Sequence, residues 1–163
     1  MKVIFLDIDG VLIRFWNTAQ IRKTRAEKRQ TWIINEFDDD LANNLKRIIK
    51  ETNCKIVISS SWRYDMNRVK NAFKKAWLPT DIIIWRTWDW FWYGRGNEIL
   101  HFLNDYHEKC WAWLMIRRWL AIDDDTFDMK AITRLWRLIK TETHIWLDSN
   151  KTKEVIKILN YIY

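Results

Sequence analysis

The stretch FLDIDGVL sets two carboxylates, Asp7 and Asp9, one residue apart directly after the apolar run Lys2 to Leu6. An ionised carboxylate is costly to bury without a partner. The pair therefore needs an open edge or a compensating cation. Two acids so spaced can divide a hydrolytic reaction between them. Asp7 can serve as a nucleophile that forms an aspartyl-phosphate. Asp9 faces the same way, because side chains alternate along a strand. It can protonate a leaving oxygen and then activate water. Gly10 permits a sharp turn out of the strand. Two further polar clusters end apolar runs: Ser59-Ser60-Ser61 and Asp123-Asp124-Asp125. The serine hydroxyls can donate to phosphate oxygens. Asp7, Asp9, Asp123 and Asp124 would repel one another if brought together bare. Mg2+ offsets such repulsion and takes one or two carboxylates together with water and phosphate oxygens. It would also balance the charge on a transferring phosphoryl group.

These clusters can meet only if their strands run in one direction, and the chain has the pattern for that. Lys2 to Asp9, Lys55 to Ile58, Asp81 to Ile84, Arg118 to Ile122 and Leu135 to Lys140 read as strands. Between them, Asp38 to Glu51, Tyr64 to Ala76, Asn97 to Glu108 and Ser149 to Ile162 read as helices. Leu41, Leu45, Ile48 and Ile49 in the first of these recur at helical spacing, and Asp38 or Asp39 can cap it. Asn17 to Arg29 is helix-compatible and polar, and Trp85 to Gly96 reads as an irregular loop. Alternating strands and helices imply a central parallel sheet with helices on both faces, an α/β architecture. In such sheets ligands bind at the carboxyl ends of the strands, where every polar cluster above is expected. One domain over 1–163 is expected, with a short basic insert over 13–36 after the first strand.

Bulk properties narrow the classes further. The chain has 163 residues, is 48% hydrophobic and carries a net charge of +7, so disorder is not expected and an anionic partner is. The densest basic stretch, Arg14 to Arg29, is either a solvated helix face or a phosphate-contacting surface. No apolar run approaches the ~20 residues of a membrane helix. No secretory leader pattern is seen, and Cys54 and Cys110 lack metal-site spacing. A soluble cytoplasmic protein is the expectation.

FLDIDGVL resembles motif one of the haloacid dehalogenase (HAD) superfamily of phosphotransferases. KIVISSSWR resembles motif two and LAIDDD motif four, and the likeness covers nearly the whole chain. The pattern is most similar to the small HAD domain associated with RNA repair proteins, and also to the phosphatase half of polynucleotide kinase-phosphatases. RGNEILHFLND and the tail LIKTETHIWLDSNKTKEVIKIL fit the same pattern. The resemblance implies a Rossmann-like HAD fold, the 13–36 segment being a small cap-like insert. It implies that Asp7 is the nucleophile and Asp9 the general acid/base, whose carbonyl would face the metal. Ser59, or as second choice Ser60, would bind phosphate, and Arg63 would add a phosphate contact. Arg95 stands where motif three normally has lysine, which keeps the charge but replaces a point ammonium with a planar fork. Asp124 would hold Mg2+ with Asp123 beside it; Asp128 is a weaker candidate. The implied activity is Mg2+-dependent hydrolysis of a phosphomonoester, with an RNA 3′- or 2′-phosphate or a DNA end as substrate. A separately encoded ligase or kinase is an expected partner. The alternatives are a nucleotidase or small-molecule phosphatase, and a non-catalytic module that binds nucleic acid or protein.

Thirteen tryptophans stand against three glycines and one proline. A doubly wound fold needs glycine in its turns. Trp77 precedes Leu78-Pro79 at a helix end, where a C-cap glycine is usual. Trp85, Trp88, Trp90 and Trp92 crowd an expected loop, and Trp146 falls where similar tails carry glycine. One reading is an aromatic loop that stacks on bases. The other is that Trp77, Trp85 and Trp146 are glycines written as tryptophan from a reassigned UGA codon. Trp62, in SSSWR, matches the family pattern as it stands.

Overall fold

The computed structural model describes residues 1–14, 37–88, 94–109, 111, 115–142 and 145–161. Among these residues five strands form one sheet: β1 (Lys2–Leu6), β2 (Lys55–Ile58), β3 (Ile83–Arg86), β4 (Arg118–Asp123) and β5 (Leu138–Lys140). Every neighbouring pair is parallel, in the order β3-β2-β1-β4-β5. The helices are α1 (Asp39–Thr52), α2 (Met66–Lys75), α3 (Arg95–Lys109), the single turn α4 (Lys130–Thr133) and α5 (Ser149–Asn160). A 3-10 turn, Ser61–Tyr64, follows β2.

Strand alternation builds a core on each side of the sheet. Ile4, Leu6, Ile56, Ile58, Leu120 and Ile122 pack with apolar residues of α1, α2 and α5. Val3, Phe5, Val57 and Ala121 face the other way, against Ile99, Phe102 and Leu103 of α3 and Ile132 of α4. Phe5 meets Phe102 edge to face at 5.5 Å, a favoured aromatic arrangement. The α/β architecture with helices on both faces is thus as expected.

Register brings the polar clusters level. Leu6 pairs with Ile58 and with Ile122, so Asp7, Ser59 and Asp123 fall in the next row. Two hydrogen bonds carry the ladder into that row, from Asp7 N–H to Ile122 O at 3.0 Å and from Ser59 N–H to Leu6 O at 2.9 Å. The chain builds outward from β1 through β2 and β3, then crosses back to place β4 on the other side of β1. The β1/β4 boundary is therefore the topological switch point where such sheets bind ligands.

Several boundaries differ from expectation. β1 stops at Leu6 rather than Asp9, because Gly10 N–H turns back to Ile13 O at 3.0 Å and Asp9 bridges only to Ile13. β3 begins two residues late and takes in Trp85 and Arg86, following its register with β2. The expected helix Tyr64 to Ala76 divides at Asp65, whose carboxylate accepts from Arg68 N–H and caps α2. The short α4 was not expected at all. The expected helix Asn17 to Arg29, most of the insert over 13–36 and part of the loop Trp85 to Gly96 lie outside the described residues. At the base of that insert, Arg14 N–H donates to Asp38 Oδ2 at 2.8 Å and Asp38 N–H to Leu12 O at 3.0 Å. Among the described residues no helix is long and apolar enough to cross a membrane.

Candidate active site

The carboxyl ends of β1 and β4 bring three acids together. One carboxylate oxygen from each of Asp7, Asp123 and Asp124 lies within 4.8 Å of the others. Asp7 and Asp123 are buried, and Asp124 is partly open. Asp123 has both oxygens engaged: Oδ1 accepts from Asp125 N–H at 2.9 Å, and Oδ2 accepts from Arg95 Nη1 at 2.6 Å. Asp124 is thus the more accessible acid of its strand end.

Arg95 reaches this cluster from the first residue of α3, with Nη1 3.3 Å from Asp7 Oδ1. It bridges the acids of both strands. The glycines on either side make its seat possible. Gly94 has φ +71°, a left-handed conformation that favours glycine. A Cβ on Gly96 would lie 3.2 Å from the backbone of Asp128 and Met129. Gly96 N–H donates to Asp128 O at 2.8 Å. The start of α3 therefore lies directly on the turn that follows the triple aspartate.

Electrostatics show how crowded the acids are. Burial, and then the charge of Asp123, push Asp7 up to about 8, against the pull of Arg95 and a hydrogen bond from Ser60. Burial pushes Asp123 up to about 6, with Arg95 opposing. Asp124 is also raised, first by burial. One arginine does not neutralise three carboxylates. A hard divalent cation would, so this donor set fits Mg2+.

Asp9 is placed differently. Its Oδ2 accepts from the Trp62 indole Nε1 at 3.0 Å and from Ser61 Oγ at 3.5 Å, and it is not one of the three clustered acids. Trp62 is itself held, buried against Phe37 at 6.2 Å with the Arg68 guanidinium 3.5 Å above its ring. In the sequence Trp62 is a family match without an assigned role. Its role as donor to Asp9 joins residues 53 apart.

The serines divide their tasks. Ser60 accepts from Trp62 N–H at 3.3 Å, starting the 3-10 turn, and hydrogen-bonds to Asp7. Ser59, the first choice from sequence, is fully buried, and its hydroxyl has no hydrogen-bond partner among the described residues. Arg63 lies in a buried fork with Glu98, with Nη1 to Oε2 at 2.6 Å and Nη2 to Oε1 at 3.2 Å. Glu98 was missed. The signal was an acid in the apolar stripe of α3 with Ile99, Phe102 and Leu103.

The family model for the HAD domain in Swiss Army Knife RNA repair proteins matches residues 3–152. The chain belongs to this family. No curated protein and no solved structure matches it. For this HAD domain, the match spans β1 to the first turn of α5 and so takes in every residue of the site described above.

Proposed function

We propose that this HAD domain is a Mg2+-dependent phosphomonoesterase whose substrate is a phosphorylated nucleic-acid end, an RNA 3′- or 2′-phosphate foremost. The observation that carries this reading is Asp7 at the switch point, within reach of Asp123, Asp124 and Arg95. Asp7, Asp123 and Asp124 would hold the cation, with Asp9 contributing at most its backbone carbonyl, because its carboxylate is engaged by Trp62. Bound there, the cation would screen the acids and balance charge on the phosphoryl oxygens.

The chain's own residues supply the chemistry. An Asp7 carboxylate oxygen attacks phosphorus and forms an aspartyl-phosphate as the bond to the leaving oxygen breaks. Asp9 gives its proton to that oxygen. It then takes a proton from water, whose oxygen attacks the same phosphorus. The Asp7–phosphorus link breaks, leaving inorganic phosphate and both acids in their starting states. Ser60 and Arg95 hold Asp7 on two sides.

Charge and shape favour a polymer end. The chain carries +7. A cleft of about 540 Å3 is lined by Asn97, Thr126, Lys130, Ala131, Thr133 and Arg134. Asn97 lies two residues beyond Arg95, and Thr126 two beyond Asp124. The cleft carries two cations, Lys130 and Arg134, and a nucleic-acid strand leading away from a terminal phosphate would draw on such charge. A ligase or kinase encoded separately would act on the ends this reaction leaves.

The test is phosphate release from an aryl phosphate, mononucleotides, and RNA and DNA oligomers carrying 3′, 2′ or 5′ phosphates. Each is run with Mg2+ and with chelator, for the parent and for Asp7→Asn. Metal-dependent release, fastest from RNA oligomers and lost in Asp7→Asn, is the expected result. Faster release from mononucleotides would make the protein a nucleotidase. No release from the folded parent would end the enzymatic reading.

A further inference from the structure

The Arg63–Glu98 pair is buried, with side chains 11% and 5% exposed. Taking two charges out of water is expensive, and an apolar pair of similar volume often serves stability as well or better. The pair's placement supplies the reason to keep it. Arg63 sits on the 3-10 turn directly after Ser60, which hydrogen-bonds to Asp7. Glu98 sits three residues beyond Arg95, on the turn of α3 that delivers Arg95 to Asp7 and Asp123. Residues three apart are neighbours on a helix surface. The fork thus ties together two arms that grip Asp7 from different elements. Arg63 is fixed further: Thr87 Oγ1 accepts from Arg63 Nη1 at 3.0 Å, and Arg86 Nη1 donates to the Arg63 carbonyl.

We infer that Glu98, through its fork with Arg63, is a positioning residue that holds Arg95 on the Asp7–Asp123 pair. On this view Arg63 is committed to Glu98 and does not bind the substrate phosphate. Glu98 touches no reacting atom. It sets where the guanidinium of Arg95 stands, and so how the nucleophile is aimed. A misplacement of about 1 Å at such a group can cost on the order of a hundredfold in rate.

The inference uses the proposed phosphatase reaction for one readout and a structure for the other, so the two can fail separately. Removing one partner alone would strand a buried charge and could unfold the chain. The main variant is therefore the double replacement Arg63→Met with Glu98→Leu, with Arg63→Lys as a milder second. The double variant is expected to melt within a few degrees of the parent and to lose roughly 10- to 100-fold in kcat, with KM within about twofold. Arg63→Lys, which keeps the charge but not the fork, is expected to fall between them. A rise in KM at unchanged kcat would overturn the inference, because it would put Arg63 on the substrate. So would parental kcat and KM in the double variant. Crystal structures of the parent and the double variant give the second readout. Arg95 displaced from Asp123 supports the inference whether or not the parent turns over any phosphate. Arg95 still hydrogen-bonded to Asp123 and ion-paired with Asp7 would overturn it. Should the double variant not fold, Arg63→Lys is judged by the same two readouts.

Discussion

Besides Asn53 at the end of α1, two regions of the described molecule adopt left-handed backbone, and they do so with different residues. At the carboxyl edge of the sheet the positions are Gly10, with φ +75°, and Gly94, with φ +71°. At the ends of α2 and α4 they are Trp77, with φ +57°, and Trp136, with φ +54°. The edge follows local rules, with glycine wherever the chain turns sharply under the acids. The two helix ends break them. At Trp77 the bonds are those of a Schellman motif: Leu78 N–H donates to Phe73 O at 2.9 Å and Trp77 N–H to Lys74 O at 3.1 Å. Leu78 and Phe73 also share the core, the apolar contact that usually accompanies this cap. Everything about the turn calls for glycine except the side chain. Trp77 is 82% exposed and Trp136 89%, so neither ring is held by packing that would offset the strain. The comparison teaches that the edge is built for chemistry at some cost to stability, while the two tryptophan turns cost stability and lie outside the acid cluster. Substitutions at the edge should change turnover, and substitutions at the turns should change stability alone.

The largest effect is expected at Asp7. Asp7→Asn should lower phosphate release by at least about a thousandfold, since the nucleophile is gone. The same change should stabilise the metal-free protein near neutral pH. Asp7 is held up at about 8 when folded, against an ordinary carboxylate value of 3.8. Between those values the folded state binds the extra proton, so stability falls as pH rises from about 4 to about 8. Asp123, at about 6, adds to the decline over the lower part of that range. Melting temperatures measured with chelator from pH 4 to 8 should fall for the parent and flatten for Asp7→Asn, and Mg2+ should recover the parent at the upper end. A parent curve that rises across that range would break the contrast.

Trp62→Phe should come next. It keeps an aromatic ring against Phe37 and Arg68 but removes the donor to Asp9. Turnover should fall about tenfold, less than the full contribution of a general acid, because Asp9 itself remains. The measurement is kcat on the best substrate of the panel. Parental kcat would show that Asp9 needs no holding. A smaller effect is expected at the basic cleft. Lys130→Ala with Arg134→Ala should lower kcat/KM for an oligomer several-fold and flatten its salt dependence, leaving the aryl phosphate unchanged. Equal losses on both substrates would mean that the cleft supports the fold rather than the strand.

The layout of the edge was largely legible in the sequence because it depends on local pattern. Apolar runs ended in acids and serines, strands alternated with helices, and the switch point followed from parallel order. Arg95 too lay where a cation was expected, and it bridges Asp7 and Asp123. What escaped was contact between residues far apart in the chain. Trp62 to Asp9 and Arg63 to Glu98 depend on how the 3-10 turn packs across the sheet edge, and no local period encodes that. The order Ser59 then Ser60 also rested on position alone. Which hydroxyl meets Asp7 depends on how the chain turns after β2. Trp136 escaped for another reason. The single turn α4 is too short to leave a helical pattern, so nothing marked its end as a cap.

The smallest effect is expected at the turns, and it tests the other half of the comparison. A left-handed conformation costs a non-glycine residue roughly 1–2 kcal/mol. Glycine gives back part of that gain through the greater freedom of its unfolded chain, about 0.4–1 kcal/mol. Trp77→Gly and Trp136→Gly should therefore each stabilise by about 1 kcal/mol or a little less, a rise of roughly 2–4 °C in Tm for a chain of this size. The two turns follow different helices on opposite faces of the sheet, so the gains should add. Turnover per folded molecule should not change. Trp85 and Trp146 have no such backbone reason, since neither takes a positive φ. The coding DNA separates the explanations at all four positions. UGA at 77 and 136 would mean that the natural chain carries glycine where its turns require it. UGG at both would make the strain a property of the protein itself. A loss of stability in Trp77→Gly would show instead that the exposed ring contributes more than its backbone costs, and the contrast between edge and turn would fail there.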